Sequence, residues 1–341
     1  MAKKILVAGG TGYIGSHTVV ELQKQGFDVV IVDDLSNSSI DVVDSITKIT
    51  GLRPEFEEFN LSDNNRTRMF FEKYSDIEAI IHFAAFKAVG ESVSKPLEYY
   101  YNNLNSLMNL LENMKRHNVN NLVFSSSCTV YGQPDKLPVT ENTPRKPAES
   151  PYGNTKAISE DIIRDCCKAH PQLNCIALRY FNPIGAHPTA LIGELPLGVP
   201  NNLVPFITQT AAGLRKELSI FGDDYNTPDG TAIRDYINVV DLAKAHVVAI
   251  NRQINQKSKN NYEYFNVGTG EGYSVLQLVK SFISVTGVNL PYKIVGRRAG
   301  DIEKIWADTT YANSELGWKS ETSLDQTLLS AWNWEKKVRN I

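Results

Sequence analysis

Tyr152 and Lys156 lie four residues apart in the segment PYGNTK. On a helix they share one face, a single turn apart. A phenol is a poor base at neutral pH, because its ordinary pKa is about 10. A lysine ammonium beside it favours the phenolate and lowers that value. The pair therefore reads as a general base that could take a proton from a hydroxyl. A Y-x-x-x-K spacing is common, and its meaning depends on what lies nearby. Upstream, SSSCTVYG (residues 125–132) follows the apolar run NLVFS (residues 121–125). Hydroxyls at the end of a buried strand face the crevice where ligands of open α/β sheets bind. Ser127 is the hydroxyl expected to bond a substrate and pass its proton to Tyr152. A serine-rich turn that satisfies its own backbone is the competing reading.

A phosphate cradle precedes this group in the chain. The apolar run at residues 5–8 leads into GGTGYIG (residues 9–15), and a helical pattern follows over residues 13–25. The spacing of Gly9, Gly12 and Gly15 is G-x-x-G-x-x-G. Glycines let a backbone turn tightly and approach a pyrophosphate. The first helical N–H groups and the helix dipole then attract the anion. A second β-rich run, residues 28–32, ends in Asp33 and Asp34. An acid about 20 residues after the glycine turn is placed to hold ribose hydroxyls, and it would repel a 2′-phosphate. Asp33 therefore points to NAD rather than NADP.

These residues need a scaffold, and the pattern of elements supplies one. Strands are expected at residues 54–59, 79–83, 121–125 and 174–180. Helices are expected at 39–49, 64–74, 96–117 and 152–170. Continuously apolar strands alternating with helices indicate a parallel sheet covered on both faces. Residues 183–205 are rich in Pro, Gly and Asn and read as a long functional loop. Further on, a helix is expected at 204–213 and strands at 218–221 and 292–295. The strand–helix–strand unit at 235–267 is expected to return to the first sheet. The fold class is α/β, a Rossmann-type doubly wound parallel sheet with a smaller, discontinuous C-terminal α/β substrate domain. The expected division is 1–182 plus 235–269 for the cofactor and 183–234 plus 270–341 for the substrate.

Composition narrows the partners. The chain has 341 residues and a formal net charge of −3, with no basic stripe, so nucleic acid is not an expected partner. No apolar run approaches a membrane span or a signal peptide. The four cysteines, Cys128, Cys166, Cys167 and Cys175, match no zinc spacing. No metal is expected, and the thiols read as reduced ones in a cytoplasmic protein.

Glycine turn, acid, strand-end serine and Y-x-x-x-K, in this order, resemble the extended short-chain dehydrogenase/reductase family. The resemblance spans essentially the whole chain. It is carried further by FAAFKAVGESV, PLEYYYNN, RYFNPIGAHP, PNNLVPF, FGDDYNTPDGTAIRDYINVVDLA and RRAGD, which resemble the members that invert C4 of a UDP-hexose. It implies a catalytic group of Ser127, Tyr152 and Lys156. It implies NAD contacts at Tyr13, Ile14, Asp33, Asn37, Asn60, Leu61, Phe83, Lys87, Asn102 and Phe181. Asn60 stands where the family often has an aspartate for the adenine amino group, and its carbonyl oxygen can still accept that bond. The UDP-sugar is implied to meet Asn182, Asn202, Phe221 beside the uracil, Arg234, Arg298 and Asp301. Ile305, four places beyond Asp301, is implied to border the sugar 2-substituent and to favour UDP-glucose and UDP-galactose over N-acetylated forms. Dehydration is the nearest rival chemistry, but it calls for an acid beside the strand-end hydroxyl, and residues 126–129 supply none. A non-catalytic NAD-binding regulator is a second rival, and it predicts a broken Tyr–Lys pair. The resemblance also implies a homodimer built through the two long helices.

Overall fold

The computed structural model describes residues 2–298 and 301–341. Met1 lies outside the described residues, as do Ala299 and Gly300 of the RRAGD segment. The first half alternates β1 (Lys4–Ala8), α1 (Tyr13–Lys24), β2 (Asp28–Asp33), α2 (Asp41–Thr50), β3 (Glu55–Glu58), α3 (Asn64–Lys73) and β4 (Ile77–His82). It continues through α4 (Val89–Ser94), α5 (Pro96–His117), β5 (Asn121–Ser127), α6 (Pro151–Ala169) and β6 (Asn174–Tyr180). The short helix α4 and a 3-10 turn at Cys128–Tyr131 are absent from the sequence expectation.

The second half is more broken. It holds β7 (Asn182–Ile184), α7 (Leu203–Ala211), β8 (Leu218–Phe221), β9 (Ile233–Arg234), β10 (Tyr236–Asn238), α8 (Val239–Ile254) and β11 (Tyr262–Val267). Then come β12 (Tyr273–Ser274), α9 (Val275–Thr286), β13 (Tyr292–Val295), β14 (Lys304–Ile305) and α10 (Leu324–Arg339).

Seven strands form one sheet in the order β11-β6-β5-β4-β1-β2-β3, and every pairing in it is parallel. One apolar cluster joins Val19, Val20 and Leu22 of α1, Val43 and Ile46 of α2 and Leu242 and Ile250 of α8 to one face. A second joins Phe70 and Phe71 of α3, Leu107 and Leu110 of α5 and Ile163 of α6 to the other. Strands buried on both faces have no polar side to alternate with, which is why their sequences read as unbroken apolar runs. The winding reverses between β1 and β4, and ligands of such sheets bind at that crevice.

Two expectations are corrected. Asp235–Val239 was expected to return to the main sheet with the strand after α8. Only β11 does so, pairing with β6, whereas β10 pairs with β7 in a separate two-stranded sheet. The loop expected over 183–205 therefore begins as a strand, continuing from β6 after Phe181. A three-residue strand carries too little periodicity to be seen in sequence. β8 and β13 appear where expected and pair with each other in parallel. A further core gathers Ile207, Leu218, Ile220, Leu278, Phe282 and Leu328 around them.

At the reversal point, backbone packs directly on backbone. Gly9 has φ +82°, and a Cβ on it would stand 2.7 Å from the Ala84 amide nitrogen. A Cβ on Gly15 would stand 2.1 Å from the Gly9 carbonyl oxygen. Both side chains must be absent for α1 to start where it does. Gly15→Ala should therefore lower stability at least by the ~1–3 kcal/mol typical of overpacking. An unchanged denaturation midpoint would contradict the packing described.

Candidate active site

Helix α6 begins with a built cap. The Ser150 side chain accepts from the Gly153 amide at 3.2 Å, and Pro151 occupies the first turn. Tyr152 follows in that turn, where the positive end of the helix dipole favours an anion. One turn on, Lys156 is 4 % exposed, and its ammonium donates to the Ser125 carbonyl of β5 at 2.6 Å. The same nitrogen lies 5.9 Å from the Tyr152 ring centroid and 4.9 Å from that of Phe124. Ser127, the last residue of β5, is buried and caps the 3-10 turn, its hydroxyl accepting from the Thr129 amide at 3.2 Å. It also stands near enough to the Tyr152 phenol to oppose the rise in its pKa. The structure thus brings Ser127, Tyr152 and Lys156 together at the end of a central strand.

The electrostatics depart from the sequence expectation. Burial pushes Tyr152 well above the ordinary phenol range, only partly opposed by the nearby Ser127 hydroxyl. Burial also pulls Lys156 down to about 7, against the field of Glu160. Desolvation disfavours both the phenolate and the ammonium, and it is the largest influence on each. Cys128, next to Ser127, is buried too, and its thiol is pushed up to about 12 by burial.

The cradle fits an adenine dinucleotide. Gly12 is the N-cap of α1, and its first turn carries no acidic side chain. Asp33 is oriented by donors: the Thr11 amide at 3.1 Å, the Leu35 amide at 3.1 Å and the Ser38 hydroxyl at 3.3 Å. Asn60 donates to Asp34 at 2.8 Å and to Asn102 at 3.2 Å, while its oxygen accepts from the Ser62 amide at 2.8 Å. One lone pair of that oxygen remains for an adenine amino group. Leu61 is buried beside it. Phe83 follows β4, its amide bonded to the Ala8 carbonyl at 2.8 Å and its ring 4.6 Å from that of His246. Ile14 packs against the same core, and Tyr13 donates to the Gly185 carbonyl at 2.6 Å.

The residues implied for the sugar nucleotide are more dispersed. Asn182 lies on β7, with its amide bonded to the Asp235 carbonyl at 3.0 Å. Asn202 is the N-cap of α7 and donates to Glu194 at 2.5 Å, and the half-exposed Lys87 reaches the same carboxylate at 3.4 Å. Arg234 donates to the Ile233 carbonyl at 2.8 Å. Its sequence neighbour Asp235 is buried and accepts from the amides of Thr269, Gly270 and Ala307. Arg298 and Asp301 pair at 3.7 Å. Ile305 is opposite Arg234 in the β14–β9 register and packs in an apolar cluster with Cys128 and Phe181. Phe221 ends β8 and is exposed, as is Asn37 in the loop after β2. Among the described residues, no side-chain hydrogen bond joins these two to the rest. Sequence reasoning passed over Glu160, which extends Tyr152 and Lys156 by one more turn; a Y-x-x-x-K-x-x-x-E spacing was the available signal.

A sheet of this order, with a glycine cradle at its reversal point and a Tyr–Lys pair one helical turn apart beside a strand-end serine, defines a short-chain dehydrogenase/reductase of the extended type. A family model described as GDP-mannose 4,6 dehydratase matches residues 6–330. The UDP-glucose 4-epimerase of Dictyostelium discoideum is 49% identical over 332 residues, 97% of this chain and 95% of that protein. A UDP-glucose 4-epimerase from Stenotrophomonas maltophila, crystallised with NAD and formylated UDP-arabinopyranose, superposes with a TM-score of 0.95 at 46% identity, covering 99% of both chains. That of Bifidobacterium longum, in complex with NAD+ and UDP, gives 0.94 at 46% identity, again over 99% of both. The chain belongs to the UDP-glucose 4-epimerase family.

The depressed Lys156 has a consequence for stability. Its folded pKa of about 7 lies below the ordinary lysine value of 10.5. Between those values the unfolded chain holds a proton that the folded chain lacks, so this group makes stability rise with pH. At lower pH both states are protonated and the full cost of burying the charge remains. The unfolding free energy of native protein minus that of Lys156→Met should therefore increase from pH 7 toward pH 9. Denaturant titrations across that range check this, and a constant difference would contradict it.

Proposed function

We propose that this chain interconverts UDP-glucose and UDP-galactose by oxidising C4, letting the 4-keto sugar turn and reducing it on its other face. Tyr152 carries the reading: a half-buried residue in the first turn of α6, near Ser127 and one turn from Lys156. Bound NAD supplies the hydride acceptor and donor for C4 and is unchanged by a full turnover. The chain's own residues do the rest. Ser127 orients the sugar 4-hydroxyl and passes its proton to Tyr152. Lys156 stabilises the phenolate before Tyr152 takes that proton and again once Tyr152 has returned it. The crevice excludes water, and this keeps the keto sugar from escaping or exchanging.

Gly9, Gly12 and Gly15 cradle the cofactor pyrophosphate, and Asp33 takes the adenosine ribose. Asn37, Asn60, Leu61, Phe83, Lys87, Asn102 and Phe181 line the rest of that site. Arg234 and Arg298 fork onto the UDP diphosphate, a geometry that suits guanidinium. With the diphosphate held, the sugar can swing about it. Asn182, Asn202 and Asp301 complete the pocket, and Phe221 flanks the uracil. Ile305, beside Cys128 and Phe181, narrows the room at the sugar 2-position. Its β-branched side chain cannot easily swing aside, so plain UDP-hexoses are preferred over N-acetylated ones. Residues 1–182 plus 235–269 serve the cofactor, and 183–234 plus 270–341 serve the sugar nucleotide.

Cys128 speaks against dehydration. That chemistry needs a proton donor beside the strand-end hydroxyl, and a thiol pushed up to about 12 by burial is a poor one at neutral pH. All four cysteines are free, which supports a reducing, cytoplasmic location. No helix among the described residues is long and apolar enough to cross a membrane. A homodimer is supported by the apolar side chains that α4 and α5 leave uncovered: Val93 at 64%, Leu97 at 80% and Tyr101 at 67%.

Incubation with UDP-galactose and no added NAD should yield UDP-glucose, because the cofactor stays bound. Tyr152→Phe should keep NAD and the fold but lose ~10²–10⁴-fold in kcat, the usual contribution of a general base. Near-native turnover in that variant would overturn the assignment. Light scattering at micromolar concentration should give twice the chain mass, and Leu97→Glu should shift it toward the monomer. A native monomer would refute the dimer.

A further inference from the structure

Helix α6 carries a third polar residue on the face of Tyr152 and Lys156. Glu160 follows Lys156 by one turn and is 1 % exposed. The Ser126 hydroxyl of β5 donates to its Oε1 at 2.5 Å. Arg179 of β6 forks onto it, Nε to Oε1 at 2.9 Å and Nη2 to Oε2 at 2.6 Å. Arg179 also donates to the Tyr131 hydroxyl at 3.0 Å, and Tyr131 donates to Asn266 of β11 at 2.6 Å. One carboxylate thus ties α6 to β5 and β6, and through Tyr131 to β11. Ser126 and Ser127 are neighbours, so the clamp on one fixes the strand end that carries the other.

Burying a carboxylate and a guanidinium gains little net stability over apolar packing, because both are desolvated. What sets this pair apart from other buried pairs is its place, at the strand end that carries Ser127 and on the helix face that carries Tyr152 and Lys156. We propose that Glu160 is a positioning residue for the C4 reaction. It holds the α6 face bearing Tyr152 and Lys156 against the end of β5 bearing Ser127, and it presents a negative charge to the Lys156 ammonium. This inference rests on the epimerase reading of Tyr152 and Lys156.

The groups around the pair define its charge state. Lys156 faces the Ser125 carbonyl of β5, His82 of β4, and Tyr152 and Glu160 of its own helix. Burial and the Lys156 charge push His82 down to about 3, so it stays neutral at working pH. Glu160 faces Arg179 of β6, Arg145 at 3.7 Å from the segment before α6, and the buried Tyr262 hydroxyl of β11. Lys156 is held near neutrality by burial, and Glu160 is the group that raises it. Without that charge, Lys156 gives up its proton at lower pH and ceases to support the phenolate.

The test compares kcat and KM for UDP-galactose against pH in native protein, Glu160→Gln and Glu263→Gln. Glu263 is the control: it pairs with Arg252 at 2.7 Å, both side chains buried, on the far side of β11 from the catalytic group's helix contacts. Both variants should lower the unfolding temperature. Only Glu160→Gln should move the alkaline fall of kcat to lower pH, by about one unit, which is a loss of about tenfold in kcat on that limb. Its KM should stay near native, because Glu160 touches no part of the sugar nucleotide. If Glu160→Gln does not fold, Glu160→Gln/Arg179→Met leaves no charge unpaired, and the same shift is expected. A native pH profile in the soluble variant overturns the inference and leaves Glu160 a structural residue. Lys156→Met separates the two readings. Native kcat in that variant would defeat the catalytic group itself, whereas a large loss there with an unmoved Glu160→Gln profile defeats only the role given to Glu160.

Discussion

The contact between α6 and the end of β5 is the constraint on which the site depends. Lys156 spans it with a 2.6 Å bond to the Ser125 carbonyl, and Glu160 spans it with a 2.5 Å bond from Ser126. Neither charge has water to fall back on, so each must find its partner inside the protein. A small rotation of α6 would leave both unpaired. The position of the Tyr152 phenol relative to Ser127 is therefore set by polar contacts one and two turns further along the helix.

That helix can sit there because the sheet beneath it is parallel and covered on both faces. Every strand of the sheet ends on the same side, so β1 delivers the glycine cradle, β2 delivers Asp33 and β5 delivers Ser127 to one crevice. The reversal of winding between β1 and β4 opens that crevice, and the missing side chains of Gly9 and Gly15 let α1 close on its floor. Chain far away in sequence packs against the end of β5. Ile305 of β14 meets Cys128 and Phe181 in one apolar cluster, and Arg234 stands beside Ile305 in register.

Burial acts on the charged groups in opposite senses. It raises Tyr152 and Cys128 and lowers Lys156, since each prefers its neutral form away from water. A lysine near neutrality can be tipped by one nearby charge, and Glu160 provides it. The positive ring of a bound nicotinamide would lower the pKa of the phenol and favour the phenolate. Cys128, beside Ser127, keeps its proton at neutral pH. On the proposed reading, the same desolvation that tunes the base also protects the 4-keto sugar.

The cradle, the acid at the end of β2, the strand-end serine and the Tyr–Lys pair were all legible in the sequence, because each rests on local spacing. A tight turn needs glycines at given intervals, a helix face repeats every four residues, and a doubly covered strand is apolar throughout. The same local rules placed α5, β6, β8 and β13 at their observed bounds. They failed where pairing is short and remote: β7 with β10, and β9 between β12 and β14. They also gave the wrong balance for Tyr152 and Lys156, since spacing reports the attraction between two groups but not how far both are removed from water. Asn202, Arg234, Arg298 and Ile305 come from separate segments, so no local spacing brings them together. Local chain stiffness and periodicity determined the elements and their chemical residues. Tertiary packing alone decided their burial, their partners and hence their charge.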